Sequence, residues 1–258
     1  MKVLIHDSAE AAVAAIANRI VEKVIAKPTC VLGLATGGTV EPVYDAMVQK
    51  YEQQKVSYSR IRTFNLDEYV GLSPDHPMSY HHFMEKHLFG RTDIKSENTS
   101  IPFGNAVNPN EEARRYEAAI KQCGGIDCQL LGIGENGHIG FNEPTSSLSS
   151  TVRIKTLAPE TVRANSRYFK NIAEVPRLSI TMGIGTILCA REIVLIAIGD
   201  NKSKAVLEMI EGPLSARCPA SALQLHPHAE VYLDEVAASQ LTLRDYYEAV
   251  HPNGKVES

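Results

Sequence analysis

The stretch from Leu130 to Pro144, L-L-G-I-G-E-N-G-H-I-G-F-N-E-P, constrains this chain most. An apolar strand over 126–133 empties into four glycines, with His138, two asparagines and Glu143 set between and after them. The run has no helical face and meets a proline. An open α/β sheet presents side chains in this way, at the carboxyl ends of its strands. Two further stretches, G-L-A-T-G-G-T (33–39) and F-N-L-D-E-Y (64–69), also follow apolar strands. All three read as lining one cleft.

The surrounding pattern supports such a sheet. Residues 1–6 form a short apolar strand. Asp7 with Glu10 reads as a capping box, and Val13, Ile16, Ile20 and Val24 recur at helical spacing over 8–26. Strands follow at 30–34 and 61–66, with a helix between them that carries Pro42 in its first turn, where a missing N–H costs nothing. Residues 80–88 read as helix. Asn108-Pro109-Asn110-Glu111 starts another, which stops at Gly124-Gly125. Beyond the central turn, 144–177 reads as a polar flap with a short helix, 179–182 and 192–198 as strands, and 200–211 as a helix ended by Gly212-Pro213. Residues 222–224 and 231–233 read as short edge strands, 241–250 as a last helix before a polar tail. Strands alternating with helices of 10–15 residues imply βαβ units. The expected fold is therefore α/β: a mostly parallel sheet with helices on both faces, one domain over 1–258.

Bulk properties exclude several function classes. A net charge of −4 leaves no electrostatic footprint for nucleic acid. No Lys/Arg block and no long apolar run is present, so neither a polybasic anchor nor a membrane span is expected. The first residues are interrupted too soon for a signal peptide. Five cysteines without C-x-x-C spacing favour reduced thiols in a cytoplasmic protein over a disulfide frame or a zinc site. Cys30 and Cys189, beside apolar runs, are expected in the core.

The glycine loops separate by context. Gly132 to Gly137 matches G-x-G-x-x-G, but no helix opens inside it, so a dinucleotide site is not expected. Thr36-Gly37-Gly38-Thr39 links a strand to a helix, and there converging N–H groups and the helix N-terminus suit an anion. With no lysine after the glycines it is no ATP loop; a single phosphate on a small molecule fits, against the alternative of a plain tight turn. Lys202, near the start of the helix after Asp200, opposes the helix dipole unless an anion stands before it. Arg167 in R-A-N-S-R-Y-F is a second candidate clamp.

Asp67 and Glu68 stand at a strand end, where adjacent side chains point opposite ways. One is expected to face the cleft and the other to support it. His138, in its glycine turn and with Glu143 five residues on, has the make-up of a proton shuttle near neutral pH. Its spacing is not that of a helical metal site, and no metal is expected.

These motifs, with A-N-S-R-Y-F (164–169), resemble the glucosamine-6-phosphate deaminase family in the same order over nearly the whole chain. The resemblance implies a modified doubly wound fold and an aldose-to-ketose isomerisation coupled to loss of ammonia, converting glucosamine 6-phosphate to fructose 6-phosphate without a cofactor. It implies that His138 opens the ring, that Glu143 orients that histidine, and that Asp67 moves the C2 proton. Thr36, Gly37, Gly38, Thr39, Arg167 and Lys202 match the family's phosphate and substrate contacts. Some members carry Asp two residues before the histidine; this chain has Asn136, so the ring-opening limb of its pH profile is expected to lie lower. Some members are hexamers activated by N-acetylglucosamine 6-phosphate, and Ser146, Arg153, Lys155 and Thr156 match segments of that site. The short C-terminal tail matches nothing there, which leaves homo-oligomerisation and activation open.

Three other readings stay open at this stage. A 6-phosphogluconolactonase-like hydrolase would share the fold without needing D-E-Y together with F-N-E-P. A non-catalytic sugar-phosphate sensor would be free to lose Asp67, His138 and Glu143. A nicotinamide oxidoreductase rests on the glycine motif alone.

Overall fold

Short runs of aliphatic and β-branched residues make the strands, and amphipathic stretches make the helices between them. The computed structural model describes residues 1–254; residues 255–258 of the expected polar tail lie outside it. The chain runs β1 (Lys2–His6), α1 (Ala9–Ala26), β2 (Val31–Leu34), α2 (Glu41–Glu52), β3 (Arg62–Asn65), β4 (Asp67–Tyr69), α3 (Tyr80–His87), β5 (Thr99–Ser100), α4 (Pro109–Gln122) and β6 (Cys128–Gly132). It continues through β7 (Arg153–Thr156), α5 (Pro159–Asn165), β8 (Leu178–Thr181), α6 (Ile184–Leu188), β9 (Glu192–Ala197), α7 (Ser203–Ile210), β10 (Ala229–Asp234) and α8 (Arg244–Val250).

Seven strands form a sheet in the order β1-β10-β9-β6-β2-β3-β5, each parallel to its neighbours. After β2 the chain winds outward through β3 and β5; after β6 it winds the other way through β9 and β10. The direction therefore reverses between β2 and β6, and the loops leaving these two strands diverge. That opens a crevice at their carboxyl ends. Gly33 pairs with Gln129 across this junction, and a Cβ on Gly33 would fall 2.0 Å from the Gln129 side-chain amide, so glycine leaves room for that buried side chain.

Burial follows the pattern. In α1, Ala12, Val13, Ile16, Ala17, Ile20, Val21 and Val24 turn inward, each large side chain contributing about 1.5–3 kcal/mol by leaving water. β10 is buried at all six positions. Its Glu230 is offset by Arg19 at 3.1 Å and by the Tyr232 hydroxyl at 3.0 Å, and its Asp234 accepts the Gly199 and Ala237 N–H groups. Buried charges are tolerated only with such partners.

Several local expectations are corrected. The cap of α1 is Ser8, whose hydroxyl accepts the Ala11 N–H, rather than Asp7. Residues 222–224 lie in a 3-10 turn (Pro219–Leu225), since Pro219 and the contact with α7 favour a tight coil over an extended edge. Residues 231–233 are a strand, but an interior one between β1 and β9. Cys30 is buried, whereas Cys189 is exposed because it caps α6 on the outer side. Lys202 ends a 3-10 turn (Asp200–Lys202) that precedes α7.

The largest difference is a second sheet. β4, β8 and β7 pair antiparallel in the order β4-β8-β7, so the 179–182 strand does not join the parallel sheet, and the 144–177 segment contributes both β7 and α5. Leu66 joins the two sheets: its N–H donates to the Leu34 carbonyl at 2.9 Å and its carbonyl accepts the Met182 N–H at 2.7 Å. Tyr69, Phe141, Leu157, Val162 and Val175 make a small second core beneath α5. The second sheet and this core form one wall of the crevice.

Candidate active site

The crevice is a cavity of about 1410 Å³ lined by Thr36, Gly37, Gly38, Thr39, Asp67, Asn136, His138, Arg167 and Lys202. Nine residues from five separate segments thus converge on one space. Glu143 stands directly behind Asn136 and His138. Ser146, Arg153, Lys155 and Thr156 do not line it: Ser146 is buried in the loop after Glu143, and the other three lie on β7, the outer strand of the second sheet.

At one end the Thr36–Thr39 loop turns from β2 into α2. Gly37 has a φ of +118°, a value that only glycine adopts freely. Arg167 and Tyr168 reach over this loop from beyond α5. A Cβ on Gly38 would touch the Tyr168 hydroxyl at 3.5 Å and the Arg167 Nη2 at 4.0 Å. The Arg167 guanidinium is steadied by the Tyr168 hydroxyl at 2.8 Å and lies 4.7 Å from that ring's centre. Burial lowers the pKa of Lys202; Glu135 opposes that shift and Arg167 adds to it. Two cations crowded beside a glycine loop suit a bound dianion, which would relieve their repulsion.

At the other end the glycine turn after β6 presents His138. Its ring lies over Gly134, where a Cβ would fall 2.2–2.5 Å from three ring atoms. Glu143 is buried, so it must receive donors. The Asn136 Nδ2 supplies one at 2.9 Å, and the Ala158 N–H and Thr161 hydroxyl of the α5 region supply two more. With its amide nitrogen committed to Glu143, Asn136 turns its Oδ1 to His138, 3.2 Å from the backbone N and 2.6 Å from Nδ1. An amide oxygen only accepts, so Nδ1 carries the proton and the Nε2 lone pair is free for chemistry. Glu143 Oε2 lies 3.5 Å from the same Nδ1. Burial alone would raise the Glu143 carboxyl, but the His138 ring, Thr161 and Asn136 outweigh it and hold it down at about 2.

Asp67 faces the cavity from β4 and is 5% exposed. Its Oδ2 lies 3.4 Å from the Thr181 hydroxyl and 3.1 Å from where a Cβ on Gly140 would be, so Gly140, at φ +54°, leaves room for the carboxylate. Burial, with the adjacent Glu68 second, pushes its pKa up to about 7. A carboxyl so placed can exchange a proton in either direction near neutrality. Glu68 points away, as strand alternation requires.

Sequence reasoning did not single out Tyr69, Tyr80, Thr181 or Asn165. Tyr80 stacks near Phe141, with ring centres 6.1 Å apart, and lies 5.0 Å from Tyr69, whose hydroxyl takes a 2.8 Å bond from Asn165. Tyr69 and Asn165 stand within the quoted D-E-Y and A-N-S-R-Y-F strings; Tyr80 reaches the cavity only through tertiary packing, and Thr181 stands behind Asp67. Among the described residues no group of three or more His, Cys, Asp or Glu side chains is arranged to hold a metal ion, and no helix is long and apolar enough to cross a membrane.

Known proteins share this framework. A family model for glucosamine-6-phosphate isomerases/6-phosphogluconolactonase matches residues 5–233. A glucosamine-6-phosphate deaminase of Hahella chejuensis is 55% identical over 247 residues, covering 96% of this chain and 94% of its own. One of Rhodopirellula baltica is 52% identical over 239 residues, covering 93% and 94%. Among solved structures, a monomeric glucosamine-6-phosphate deaminase gives a TM-score of 0.91 at 44% identity, covering 93% of this chain and 99% of its own. A 6-phosphogluconolactonase from Trypanosoma cruzi, at 20% identity and TM-score 0.75 over 93% of this chain and 97% of its own, shares the fold. With the family model matched over most of its length and about half its residues shared with these deaminases, the chain belongs to the glucosamine-6-phosphate deaminase family.

Proposed function

We propose that this chain converts glucosamine 6-phosphate and water to fructose 6-phosphate and ammonia. The observation that carries the reading is one cavity with two proton-transfer groups, Asp67 and His138, at one end and a cation-flanked glycine loop at the other. An amino-sugar phosphate has its phosphate and its reacting carbons separated in the same way.

In this reading the Thr36–Thr39 loop, Lys202 and Arg167 hold the phosphate. The free Nε2 of His138 takes the anomeric hydroxyl proton and passes it to the ring oxygen, opening the pyranose. Asn136 holds the tautomer that leaves Nε2 unprotonated, and Glu143 supports the imidazolium that forms. Asp67 removes the C2 proton of the open chain; the electron pair forms C1=C2 as the C1 carbonyl pair moves onto its oxygen, which takes a proton from the substrate ammonium to give an enolamine. The nitrogen lone pair then forms C2=N as the carboxylic acid returns its proton at C1. The resulting C2 imine adds water and releases ammonia. The substrate's own nitrogen and hydroxyl carry the charge that develops.

We extend the proposal to location and regulation. All five cysteines are free, which fits a cytoplasmic protein. Arg153, Lys155 and Thr156 on β7, with Ser146, are the residues we propose for an N-acetylglucosamine 6-phosphate site between copies of a homo-oligomer; sedimentation with and without that compound tests it.

The test of the activity is to mix the purified chain with glucosamine 6-phosphate and assay both products. Equal release of ammonia and fructose 6-phosphate is expected. Hydrolysis of 6-phosphogluconolactone without ammonia release would favour the hydrolase reading, and binding of either phosphate without turnover would favour a sensor.

A further inference from the structure

Glu68 takes no part in the chemistry above, yet it is 0% exposed. A buried carboxylate survives only where its lone pairs are met. β4 sends Asp67 into the cavity and Glu68 to the opposite side, against the first turn of α3. There Oε1 accepts the Tyr69 N–H at 2.8 Å. Oε2 accepts the Tyr80 N–H at 2.8 Å, the His81 N–H at 3.2 Å and a ring contact from His81 Nδ1 at 3.0 Å. The His81 side chain is 27% exposed, so it closes the Glu68 site from the solvent side.

We propose that His81 and Glu68 form a positioning pair for the proton-transfer base. His81 holds the Glu68 carboxylate on the start of α3, and Glu68 in turn fixes the Asp67 carboxylate relative to the Tyr80 ring across the cavity wall. The spacing supports this. Asp67 and Glu68 share a three-residue strand, while Tyr80 and His81 are the first two residues of α3. One carboxylate therefore ties the strand that carries the base to the helix that carries an aromatic wall. Three of the four donors are backbone groups, and the fourth, the His81 ring, is the only one that a side-chain substitution can remove.

The pair also bears on the charge of Asp67. Glu68 is the charged neighbour that adds to burial in raising Asp67, and its field on the base depends on how fully its donors offset it. Other titratable groups facing the pair are Tyr69 on β4, Tyr80 on α3, and Tyr116 on α4, which faces Asp67. Glu112, paired with Arg115 on α4, faces His81. From β8, Thr181 contributes an uncharged hydroxyl, and His138 lines the same cavity as Asp67. Of the side chains facing Glu68, the His81 ring is the one that hydrogen-bonds it; Tyr69 and Tyr80 reach it through their backbone N–H groups.

The proposal rests on the deaminase reading for one of its two measurements only. The full chain and its His81→Ala, His81→Asn and Glu68→Gln variants are unfolded in urea at pH 4 to 9, which reads the ionisation of Asp67 without substrate. The pH profile of kcat/KM for ammonia release is then taken for each. His81→Ala is expected to move both the stability inflection and the acid limb up by roughly half a pH unit, as Glu68 loses a donor. Glu68→Gln should move them down, and His81→Asn, which restores an N–H, should return them towards the starting chain. If His81→Ala and Glu68→Gln lower stability equally at every pH and leave both inflections in place, the two residues only brace α3 and the proposal is overturned. A chain without deaminase activity would sink the functional reading while the urea series still decided this one.

Discussion

Replacing Asp67 with asparagine should make the protein inactive and, above neutral pH, more stable. The folded chain holds the Asp67 proton up to about 7, against an ordinary 3.8. Burial is the main cause and Glu68 the second. Because the folded pKa is raised, the stability associated with the protonated acid is fully present below about 3.8 and is lost as pH climbs to about 7. At 1.36 kcal/mol per pH unit, the ionised carboxylate costs about 4 kcal/mol at pH 8. Asparagine has the same shape and no charge. Its Oδ1 can accept where the carboxylate did, and its Nδ2 can turn to the cavity. Urea unfolding of both proteins at pH 4, 6 and 8 would measure the difference. The variant should gain little at pH 4 and up to about 4 kcal/mol at pH 8, roughly 10 °C in Tm for a chain of this size. A stability difference that stayed constant across this range would refute the reasoning, since it would mean that Asp67 does not titrate in the window that its burial demands.

Three further outcomes follow from the same geometry. Asn136→Asp places a second carboxylate against His138 Nδ1, now 2.6 Å from the Asn136 oxygen, and should raise the ring-opening limb of the pH profile by about one unit; an unmoved limb would contradict the tautomer argument. Gly134→Ala puts a methyl group 2.2–2.5 Å from the His138 ring and should cut kcat about 10²-fold by displacing it, with circular dichroism unchanged; near-normal turnover would show that the ring is not held as described. Lys202→Met should raise KM for a phosphorylated substrate about 10- to 100-fold and leave kcat nearly intact, so a loss confined to kcat would place Lys202 in the chemistry instead.

How much of this was legible beforehand depended on the range of the interaction. The loops after β2 and β6 declared themselves because tight strand ends need glycine, and Gly37, Gly137 and Gly140 do take positive φ. Asn108 capped α4 as its sequence suggested, with Oδ1 accepting from Asn110 and Glu111. By contrast, the second sheet pairs Asp67 with Thr181 and Thr181 with Arg153. Strands of three or four residues joined over such distances leave no periodic signal. The mistaken cap was a local contest between two adjacent residues, Asp7 and Ser8, that either could have won. Cys189 looked buried from its apolar neighbours, yet the side a residue faces at a helix end depends on packing.

The site divides along the same line. Asp67, His138 and Glu143 could be chosen from their motifs, but the part Asn136 plays required knowing that its amide nitrogen is taken by Glu143. Arg167 could be suspected from its segment, while its approach to Gly38 depends on how α5 packs over the small core of Tyr69, Phe141 and Val162. Glu68 was expected to support its neighbour. Its four donors, three of them from a helix 12 residues further on or more, could not be read from a D-E pair.

The most direct test of the central claim compares Asp67→Asn with the unaltered chain for both binding and turnover of glucosamine 6-phosphate. The account predicts that the variant binds the substrate with little change, since the phosphate is held by Lys202, Arg167 and the Thr36–Thr39 loop, while ammonia release falls by about 10³-fold or more. A variant that still releases ammonia within tenfold of the unaltered rate would contradict it, and the base would have to be sought elsewhere in the cavity.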